Sequence, residues 1–215
     1  MIKNIIFDMD GTLADTAEAT IKAFQRYAPQ FCLKQLSENS IKQAIGYANP
    51  EFYFRLYPNQ DKEKLLQFSN CVEEYEKIII NELAGMILFD DVKALLIILK
   101  ERNYKLYIAS TGSCTHVASV LTNSGIINMF DQVYCDEAEK VSMVKHIIEG
   151  SSSKEWVMVG DKQKDSAAAR NNHIFSIGAG YGYCTPDDYH LFDKIIQRPY
   201  DLLKILDKYD SATLR

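Results

Sequence analysis

Two aspartates separated by one residue follow a short apolar stretch near the start of the chain. The stretch at 2–7 is rich in β-branched residues, and Asp8, Asp10 and Gly11 come directly after it. On an irregular loop two such carboxylates can converge on one cation, whereas on a regular strand they would face opposite sides. Because both would repel a phosphate unless a divalent cation lay between them, the pair predicts Mg²⁺ together with a phosphoryl substrate.

The two carboxylates suit different parts of a phosphoryl transfer. Asp8 is the predicted nucleophile, since a carboxylate can attack phosphorus and form an aspartyl-phosphate. Asp10 is the predicted general acid and base, which protonates the leaving oxygen and then deprotonates the attacking water. The alternative is a surface turn without chemistry. Four fixed identities directly after a strand make a chance match on the order of one in a thousand for this length, so that alternative is weak.

Two later segments supply further groups that the same reaction needs. Ser110 ends an apolar stretch and can donate a hydroxyl hydrogen bond to a phosphoryl oxygen. The backbone N–H groups of Thr111 and Gly112 can join it, although such a triplet alone is usually an ordinary loop. Lys140, beside a predicted helix, offers a cation that neutralises the phosphoryl group and orients the nucleophile, with Lys145 as the competing choice.

A second acidic pair follows another apolar stretch, at 156–159. Asp161 and Asp165 lie four residues apart at the end of this stretch, directly after Gly160. Asp161 is predicted to complete the metal site. Asp165 is predicted to lie either beside the metal or among the groups that hold its ligands in place.

The elements that must position these residues alternate along most of the chain. Apolar stretches typical of buried strands precede the chemical residues, and two weaker candidates complete the series: 2–7, 105–109, 132–134, 156–159 and 174–177. Helical patterns lie between most of them: 92–101, 116–123 and 141–149. This alternation predicts an α/β fold with a doubly wound parallel sheet. In such sheets ligands bind beyond the carboxyl ends of the strands, where the polar residues collect.

The stretch from 16 to 85 has a different pattern, with helices and no convincing strand. Four helices are predicted there: 16–27, 38–44, 50–56 and 61–83. The last of them carries apolar residues three or four apart, as in an amphipathic helix. The many aromatic residues of this stretch are predicted to form a core, with some available to line a pocket against the main domain.

This change of pattern predicts two domains. Residues 1–15 and 86–215 are predicted to form the core domain, and residues 16–85 an inserted helical domain. The expected hinges lie where the chain enters and leaves the insertion, near Asp15 and Gly85. An insertion of this kind could close over the sheet edge and exclude water from it.

Composition limits the range of partners. The chain has 215 residues, a formal charge of -5 and dispersed lysines and arginines, so no nucleic-acid or membrane partner is predicted. The apolar start is too short for a secretory signal, and the most apolar internal run, Leu95 to Leu99, is far below membrane-spanning length. These features predict a cytoplasmic protein.

The cysteines and histidines give no sign of a metal site. The five cysteines lie far apart without a CxxC pair, and they are predicted to be free, mostly buried thiols in a reducing compartment. The four histidines show no metal-ligand spacing, which favours surface or core polar roles for each of them.

In this order the chemical residues resemble the four motifs of the haloacid dehalogenase superfamily of phosphotransferases. The matching segments are Asp8-x-Asp10-Gly11-Thr12, Ser110 after apolar residues, Lys140, and Gly160-Asp161-x-x-x-Asp165. The resemblance implies a Rossmann-like core with an α-helical cap inserted after the first motif. It also implies metal binding by the Asp8 side chain, the Asp10 backbone carbonyl and Asp161.

Within that superfamily the chain is similar to the phosphoglycolate phosphatase-like branch. The similar segments are Ile45-Gly46 followed by 52–58, and the glycine- and tyrosine-rich loop at 178–183. The resemblance implies Mg²⁺-dependent hydrolysis of a small phosphorylated metabolite: a phosphoglycolate-like compound, a sugar phosphate or a nucleoside monophosphate.

The same residues bear on the alternative functions. Dehalogenases and phosphonate hydrolases of the superfamily generally lack the second aspartate, so Asp10 counts against both. A sugar phosphomutase keeps all four motifs and stays an alternative. A non-catalytic phospho-ligand-binding module is disfavoured because all four motif carboxylates are present. The substrate, and the choice between a monomer and a homodimer, are left open.

Overall fold

A six-stranded parallel sheet forms the centre of the computed structural model, which describes residues 1–212. The strands are β1 (Asn4–Phe7), β2 (Lys105–Ala109), β3 (Gln132–Tyr134), β4 (Trp156–Gly160), β5 (Phe175–Ala179) and β6 (Lys194–Ile196). Their order across the sheet is β3-β2-β1-β4-β5-β6, and every neighbouring pair is parallel. The predicted α/β, Rossmann-like fold class is confirmed.

The register of the central strand brings three strand ends to one level. Phe7 of β1 pairs with Ile108 of β2 and with Val159 of β4. Because parallel strands run in the same direction, the loops that follow them leave the sheet at the same edge. The residues with predicted chemistry that emerge there are Asp8, Ser110 and Asp161.

Nine helices accompany the strands within the part of the chain that the structure describes. They are α1 (Ala17–Tyr27), α2 (Glu38–Ala44), α3 (Glu51–Leu56), α4 (Lys62–Leu83), α5 (Val92–Glu101), α6 (Cys114–Asn123), α7 (Lys140–Ile147), α8 (Gln163–Asn171) and α9 (Asp201–Ala212). Short 3₁₀ helices lie at Ala28–Phe31, Ala84–Ile87, Ile127–Met129, Ser153–Glu155 and Pro186–Leu191.

Each face of the sheet buries its own apolar cluster, because successive residues of a strand point to opposite faces. Ile5 and Phe7 of β1 join the cluster that contains Leu99 of α5. Ile6, between them, joins the cluster that contains Val144 of α7. Burial on both faces explains why the central strands are apolar at nearly every position.

Helices α1 to α4 bury a third cluster, which is mainly aromatic. The ring of Phe24 lies at its centre and contacts four other rings within 6.4 Å, those of Phe52, Tyr53, Tyr57 and Phe68. The prediction that the aromatic residues of this stretch form a core is confirmed. Helix α4 begins where the Asp61 side chain accepts a hydrogen bond of 2.9 Å from the backbone N–H of Lys64.

Three elements of the core were not predicted from the sequence. Helix α8, with the sequence QKDSAAARN, has no large apolar side chain, so it lacks the periodic pattern that reveals a helix. Strand β6 has only three residues and one fully buried side chain. Helix α9, near the end of the described chain, buries Leu202 and Leu206 against the sheet.

The prediction that all five cysteines are free is wrong for two of them and confirmed for the other three. Cys114 at the start of α6 and Cys135 directly after β3 form a disulfide, with their Cα atoms 5.3 Å apart. Of the others, Cys32 is exposed, Cys71 is half-buried and Cys184 is buried. Strands β2 and β3 are neighbours, so the segments that follow them lie side by side although 21 positions separate the cysteines. Sequence spacing alone hides such a contact.

No helix among residues 1–212 combines the length and the apolarity that crossing a membrane would require.

Candidate active site

A buried lysine joins two carboxylates at the end of the central strand. Lys140 Nζ lies 2.7 Å from Asp8 Oδ1 and 2.7 Å from Asp165 Oδ1. All three side chains are buried. Because the Coulomb interaction is much stronger away from water, the ammonium group holds both carboxylates firmly in place.

The structure brings the first of the two candidate lysines to this site. Lys140 is the first residue of α7, and its side chain is 3% exposed. Lys145 lies on the exposed side of the same helix, away from the buried carboxylates. One helical turn therefore separates a lysine that contacts the predicted nucleophile from one that faces solvent.

Burial and crowding shift the proton affinities of the buried groups. Burial and the charge of Asp165 together raise the pKa of Asp8 to about 7, although Lys140 opposes both effects. Burial and the neighbouring carboxylates also raise the pKa of Asp161. Burial disfavours the charged form of Lys140, but the two carboxylates outweigh it and keep the pKa of Lys140 above its ordinary value. Excess negative charge has thus collected at this edge of the sheet.

Asp161 offers an oxygen atom that has no protein partner. Its Oδ1 accepts a hydrogen bond of 3.1 Å from Thr12 Oγ1, whereas its Oδ2 is buried without a hydrogen-bond partner among the described residues. Ligand oxygens of Asp8, Asp161 and Asp165 lie within 4.8 Å of one another. Carboxylate oxygens are the ligands that Mg²⁺ prefers, so these residues fit a divalent cation.

Asp165 holds both Lys140 and the loop of Asp161 in position. Its Oδ1 faces Lys140, and its Oδ2 accepts hydrogen bonds from the backbone N–H groups of Asp161, at 3.0 Å, and Lys162, at 2.9 Å. Both of its oxygens are therefore engaged with the protein. These contacts hold Lys140 and the Asp161 loop in place, which favours the second of the two roles that the sequence left open.

Two glycines are required by the close approach of the loops. A side chain at Gly11, where φ is +79°, would collide with Asp161 Oδ2. A side chain at Gly160 would collide with the Asp165 side chain. The absence of a Cβ at both positions lets the aspartates converge.

Asp10, the second aspartate of the first loop, contacts a threonine and a histidine. Asp10 Oδ1 accepts a hydrogen bond of 2.7 Å from Thr16 Oγ1 and lies 2.9 Å from His116 Nε2. Burial raises the pKa of Asp10, but the charge and hydrogen bond of His116 outweigh this effect and lower it overall. Burial disfavours protonation of His116, yet Asp10 and the nearby acidic residues outweigh it and raise the pKa of His116 to about 9.

His116 is the residue of the site that the sequence analysis missed. It lies on the first turn of α6, whose N-cap residue Ser113 accepts a hydrogen bond of 3.3 Å from the His116 backbone N–H. The histidine and Asp10 are 106 positions apart, and no local motif surrounds it. Its only sequence signal is its place six residues after Ser110, on a helix that leaves the same sheet edge.

The loop after β2 connects the sheet to the helical insertion. Ser110 is buried, and its Oγ accepts a hydrogen bond of 3.1 Å from the Gly112 backbone N–H. Thr111 Oγ1 donates a hydrogen bond of 3.0 Å to the carbonyl of Gly46, which lies between α2 and α3. The three residues predicted to bind phosphate therefore lie at the sheet edge, and one of them also holds the insertion.

A tyrosine after β5 makes a second connection near the entry to the insertion. Tyr183 Oη donates a hydrogen bond of 2.8 Å to Asp15 Oδ1 and accepts one of 2.8 Å from the Ala17 backbone N–H. Tyr181 Oη donates to the carbonyl of Thr12, at 2.8 Å. These contacts fix the loop that carries the first aspartates.

A cavity of about 80 Å³ opens beside Asp10, between the sheet edge and the insertion. The sheet side contributes Asp10, Gly112 and His116, and the insertion contributes Tyr47, Glu73 and Glu76. The cavity thus adjoins the predicted acid–base residue, and Lys140 is not part of its lining.

Together, the parallel sheet, the helical insertion after its first strand and the aspartate–lysine cluster at the sheet edge define one class of enzyme. A family model for haloacid dehalogenase-like hydrolases matches residues 5–179. The chain belongs to this family. The match confirms the resemblance inferred from the motifs, and it confirms the prediction that the chain is a hydrolase of the phosphatase type.

Two curated relatives align with most of the chain. A 5'-nucleotidase of Pseudomonas aeruginosa is 24% identical over 192 residues, which is 86% of this chain and 86% of that protein. The pyrophosphatase PpaX of Listeria innocua is 26% identical over 217 residues, which is 95% of this chain and 96% of that protein. The chain is therefore similar in length and sequence to enzymes that carry different substrate names.

Solved structures share the fold. A predicted phosphoglycolate phosphatase of Haemophilus somnus superimposes with a TM-score of 0.85 at 24% identity, covering 95% of this chain and 98% of that chain. A β-phosphoglucomutase of Clostridium difficile superimposes with a TM-score of 0.80 at 21% identity, covering both chains completely. At these identities the likeness shows the fold alone.

Proposed function

We propose that this protein is a Mg²⁺-dependent phosphatase that hydrolyses a small phosphomonoester through an aspartyl-phosphate on Asp8. The observation that carries the proposal is the Lys140 ammonium group, held 2.7 Å from Asp8 Oδ1 in a buried site. The orphaned Oδ2 of Asp161 beside it supports the metal. The relatives named as a nucleotidase and a pyrophosphatase support phosphate chemistry.

In the proposed first step, a carboxylate oxygen of Asp8 attacks phosphorus, and the bond between phosphorus and the leaving oxygen breaks. Asp10 donates a proton to that oxygen, so the leaving group departs with a neutral hydroxyl group and not as an alkoxide. Lys140 and the Ser110 hydroxyl offset the negative charge of the phosphoryl oxygens. The backbone N–H groups of Thr111 and Gly112 are the remaining proposed donors to them, and that of Gly112 would exchange its hydrogen bond to Ser110 Oγ for one to a phosphoryl oxygen.

In the second step, Asp10 removes a proton from a water molecule, which attacks the phosphorus of the aspartyl-phosphate. The bond to the Asp8 oxygen breaks, inorganic phosphate is released and the carboxylate is restored. The hydrogen bonds from Thr16 and His116 fix the Asp10 carboxyl group for both proton transfers. Mg²⁺, held by the Asp8 side chain, the Asp10 backbone carbonyl and Asp161, would neutralise charge between the carboxylates and the phosphoryl group.

We further propose that residues 16–85 act as a cap over a core formed by 1–15 and 86–215. Their own aromatic cluster and the contact between Thr111 and Gly46 support this role. A cap in this position leaves room for a small phosphorylated metabolite and too little for a folded protein or a nucleic acid. The cytoplasmic location and the monomeric or homodimeric state stay predictions.

A hydrolysis assay tests the proposal. Purified protein is incubated with an aryl phosphate and with a panel of small phosphomonoesters, with Mg²⁺ and with a chelator. We expect phosphate release that requires the metal and is lost in Asp8→Asn, because an amide cannot serve as the attacking group. Asp90→Asn, at an exposed aspartate, is the matched control. Metal-independent turnover, or an active Asp8→Asn variant, would contradict the proposal.

The same assay separates the phosphatase from the alternative phosphomutase. A phosphatase releases inorganic phosphate from a hexose phosphate, whereas a mutase converts one hexose phosphate into its positional isomer without net release. Product analysis by ³¹P NMR distinguishes the two outcomes. We expect inorganic phosphate as the accumulating product.

A further inference from the structure

We propose that the cavity beside Asp10 selects phosphomonoesters whose leaving alcohol carries a positively charged amine. The inference rests on the proposed function, in which Asp10 protonates the leaving oxygen. Because the cavity is lined by Asp10, the alcohol part of a substrate would occupy it while the phosphoryl group faces Asp8 and Lys140. The lining of this cavity therefore decides which alcohols are accepted.

The lining has an excess of negative charge. Glu73 and Glu76, both half-buried, lie three residues apart on α4 and line the cavity together, as residues on one helix face do. Asp10 is a third carboxylate. His116 carries the only basic side chain of the lining within the described residues, and it is paired with Asp10. Neither Glu73 nor Glu76 is thus neutralised by a lysine or arginine of the lining.

The two glutamates have a neutral hydrogen-bond donor and share the influence of one cation. Asn49 Nδ2 donates a hydrogen bond of 2.6 Å to Glu73 Oε1, and the charge of His116 acts to lower the pKa of both glutamates. Lys77, one turn further along α4, forms its ion pair with Glu74 on the outer side. Burial raises the pKa of both Glu73 and Glu76 despite these effects. A cation placed between them would compensate charge that His116 and Lys77 offset only in part.

Aromatic rings complete the wall on the insertion side. Phe52 and Tyr53 line the cavity next to the glutamates. The face of an aromatic ring attracts a cation, and carboxylates combined with rings are the usual means of recognising an ammonium group. Tyr47, which also lines the cavity, has Arg55 at 4.0 Å and Lys164 at 4.5 Å from its ring centre, which shows that a ring of this wall attracts cations.

The same lining opposes an anionic leaving group. A carboxylate, as in glycolate, or a second phosphate would enter a cavity lined by three carboxylates, those of Asp10, Glu73 and Glu76, against the single cation of His116. Repulsion between like charges in a partly buried site should weaken the binding of such an anionic group at least several-fold. The lining therefore favours cationic over neutral alcohols, and neutral over anionic ones.

A matched series of esters tests this inference. Aminoethyl phosphate, hydroxyethyl phosphate and phosphoglycolate have leaving groups of similar size with a positive, a neutral and a negative charge. We expect kcat/KM to fall in that order, by about tenfold or more at each step. Phosphoglycolate as the best of the three substrates would overturn the inference.

Charge-neutral variants show whether the glutamates are responsible. In the double variant Glu73→Gln, Glu76→Gln, the ratio of kcat/KM for aminoethyl phosphate to that for phosphoglycolate should fall by about 100-fold. The hydroxyethyl ester is the internal reference, because a merely structural defect would lower all three values together. Glu74→Gln, at an exposed position of the same helix, should leave the ratio unchanged. A double variant with the wild-type ratio would overturn the inference.

The outcomes also separate this inference from the proposed function. If none of the three esters and no aryl phosphate is hydrolysed in the presence of Mg²⁺, both fail. If the esters are hydrolysed with metal dependence but without preference by charge, the proposed function stands and the charge selection by Glu73 and Glu76 is wrong.

Discussion

The sheet edge and the helical insertion differ in how their charges are arranged. At the sheet edge, Asp8, Lys140 and Asp165 are buried and held by ion pairs of 2.7 Å, with the backbone of one loop bonded to Asp165. Across the cavity, Glu73 and Glu76 are only half-buried, and neither forms an ion pair with a lysine or arginine among the described residues. The first three side chains are fixed by direct ion pairs, whereas the glutamates leave negative charge facing the cavity.

This difference suggests a division of function, in which the sheet edge carries out the reaction and the insertion selects the substrate. A buried, fully bonded cluster can serve one chemical step but tolerates little change, because removing one charge leaves its partners unpaired away from water. A half-buried wall on an insertion can vary without disturbing that cluster. The relatives with different substrate names fit this division, since they share the length and family of the chain. The predictions that follow test the two regions in turn.

The largest effect is expected at the centre of the buried cluster. Lys140→Met leaves Asp8 and Asp165 without their shared cation, so we expect turnover to be lost and the free energy of unfolding to fall by about 3–5 kcal/mol. Lys145→Met, at the exposed lysine one turn later, should change the free energy of unfolding by no more than about 0.5 kcal/mol. Denaturant unfolding and steady-state hydrolysis measure both. The opposite pattern would assign the third motif to Lys145.

The next effect concerns proton transfer at the boundary between the two regions. Asp10→Asn keeps the size of the side chain but removes its acid–base function, so we expect kcat to fall by about 10²–10⁴-fold. Circular dichroism should show an unchanged fold, because the amide oxygen can still accept the hydrogen bond from Thr16. A wild-type rate in this variant would move the acid–base function to another residue.

A smaller effect is expected on metal affinity. The Asp161 carboxylate carries the oxygen atom that has no partner, and Asp161→Asn replaces this carboxylate by a neutral amide. Calorimetry should then show that Mg²⁺ binding is weakened by at least about tenfold. In the wild type, Mg²⁺ should bind more tightly at pH 8 than at pH 6. The pKa of Asp8 is raised to about 7, so protons compete with the metal at the lower pH and not at the higher. Equal affinities at the two pH values, or in the variant, would contradict the metal site.

The smallest effect is expected where the insertion meets the sheet edge. Thr111→Val removes the hydrogen bond to the Gly46 carbonyl, which is worth about 0.5–1.5 kcal/mol. We expect kcat/KM for the smallest esters to fall by at most about tenfold, with Mg²⁺ affinity unchanged. Thr115→Val, at an exposed position of α6, is the control. A large loss of metal affinity would show that Thr111 serves the buried cluster and not the insertion.

The sequence carried more information about the sheet edge than about the insertion. Three predicted residues of the sheet edge directly follow apolar strands, and parallel strands bring their ends together, so Asp8, Ser110 and Asp161 could be placed side by side without coordinates. His116 could not be found in this way, because its contact with Asp10 depends on the direction in which α6 leaves the sheet.

The other differences have similar causes. The disulfide between Cys114 and Cys135 follows from the pairing of β2 with β3, which no cysteine spacing reveals. Helix α8 lacks the large apolar residues from which a helix is inferred. The glutamates of the cavity wall lie on an amphipathic helix whose apolar face was predicted, but which of its polar residues face the site depends on how the helix packs.

The central claim, that Asp8 becomes covalently phosphorylated, is tested most directly by trapping the intermediate. The enzyme is mixed with excess substrate and Mg²⁺, quenched in acid within the first turnovers, digested and analysed by mass spectrometry. We expect the mass of one phosphoryl group on the peptide that contains Asp8, acid-stable but released by hydroxylamine, and its absence in Asp8→Asn. Active turnover with no adduct, or an adduct on another residue, would contradict the account.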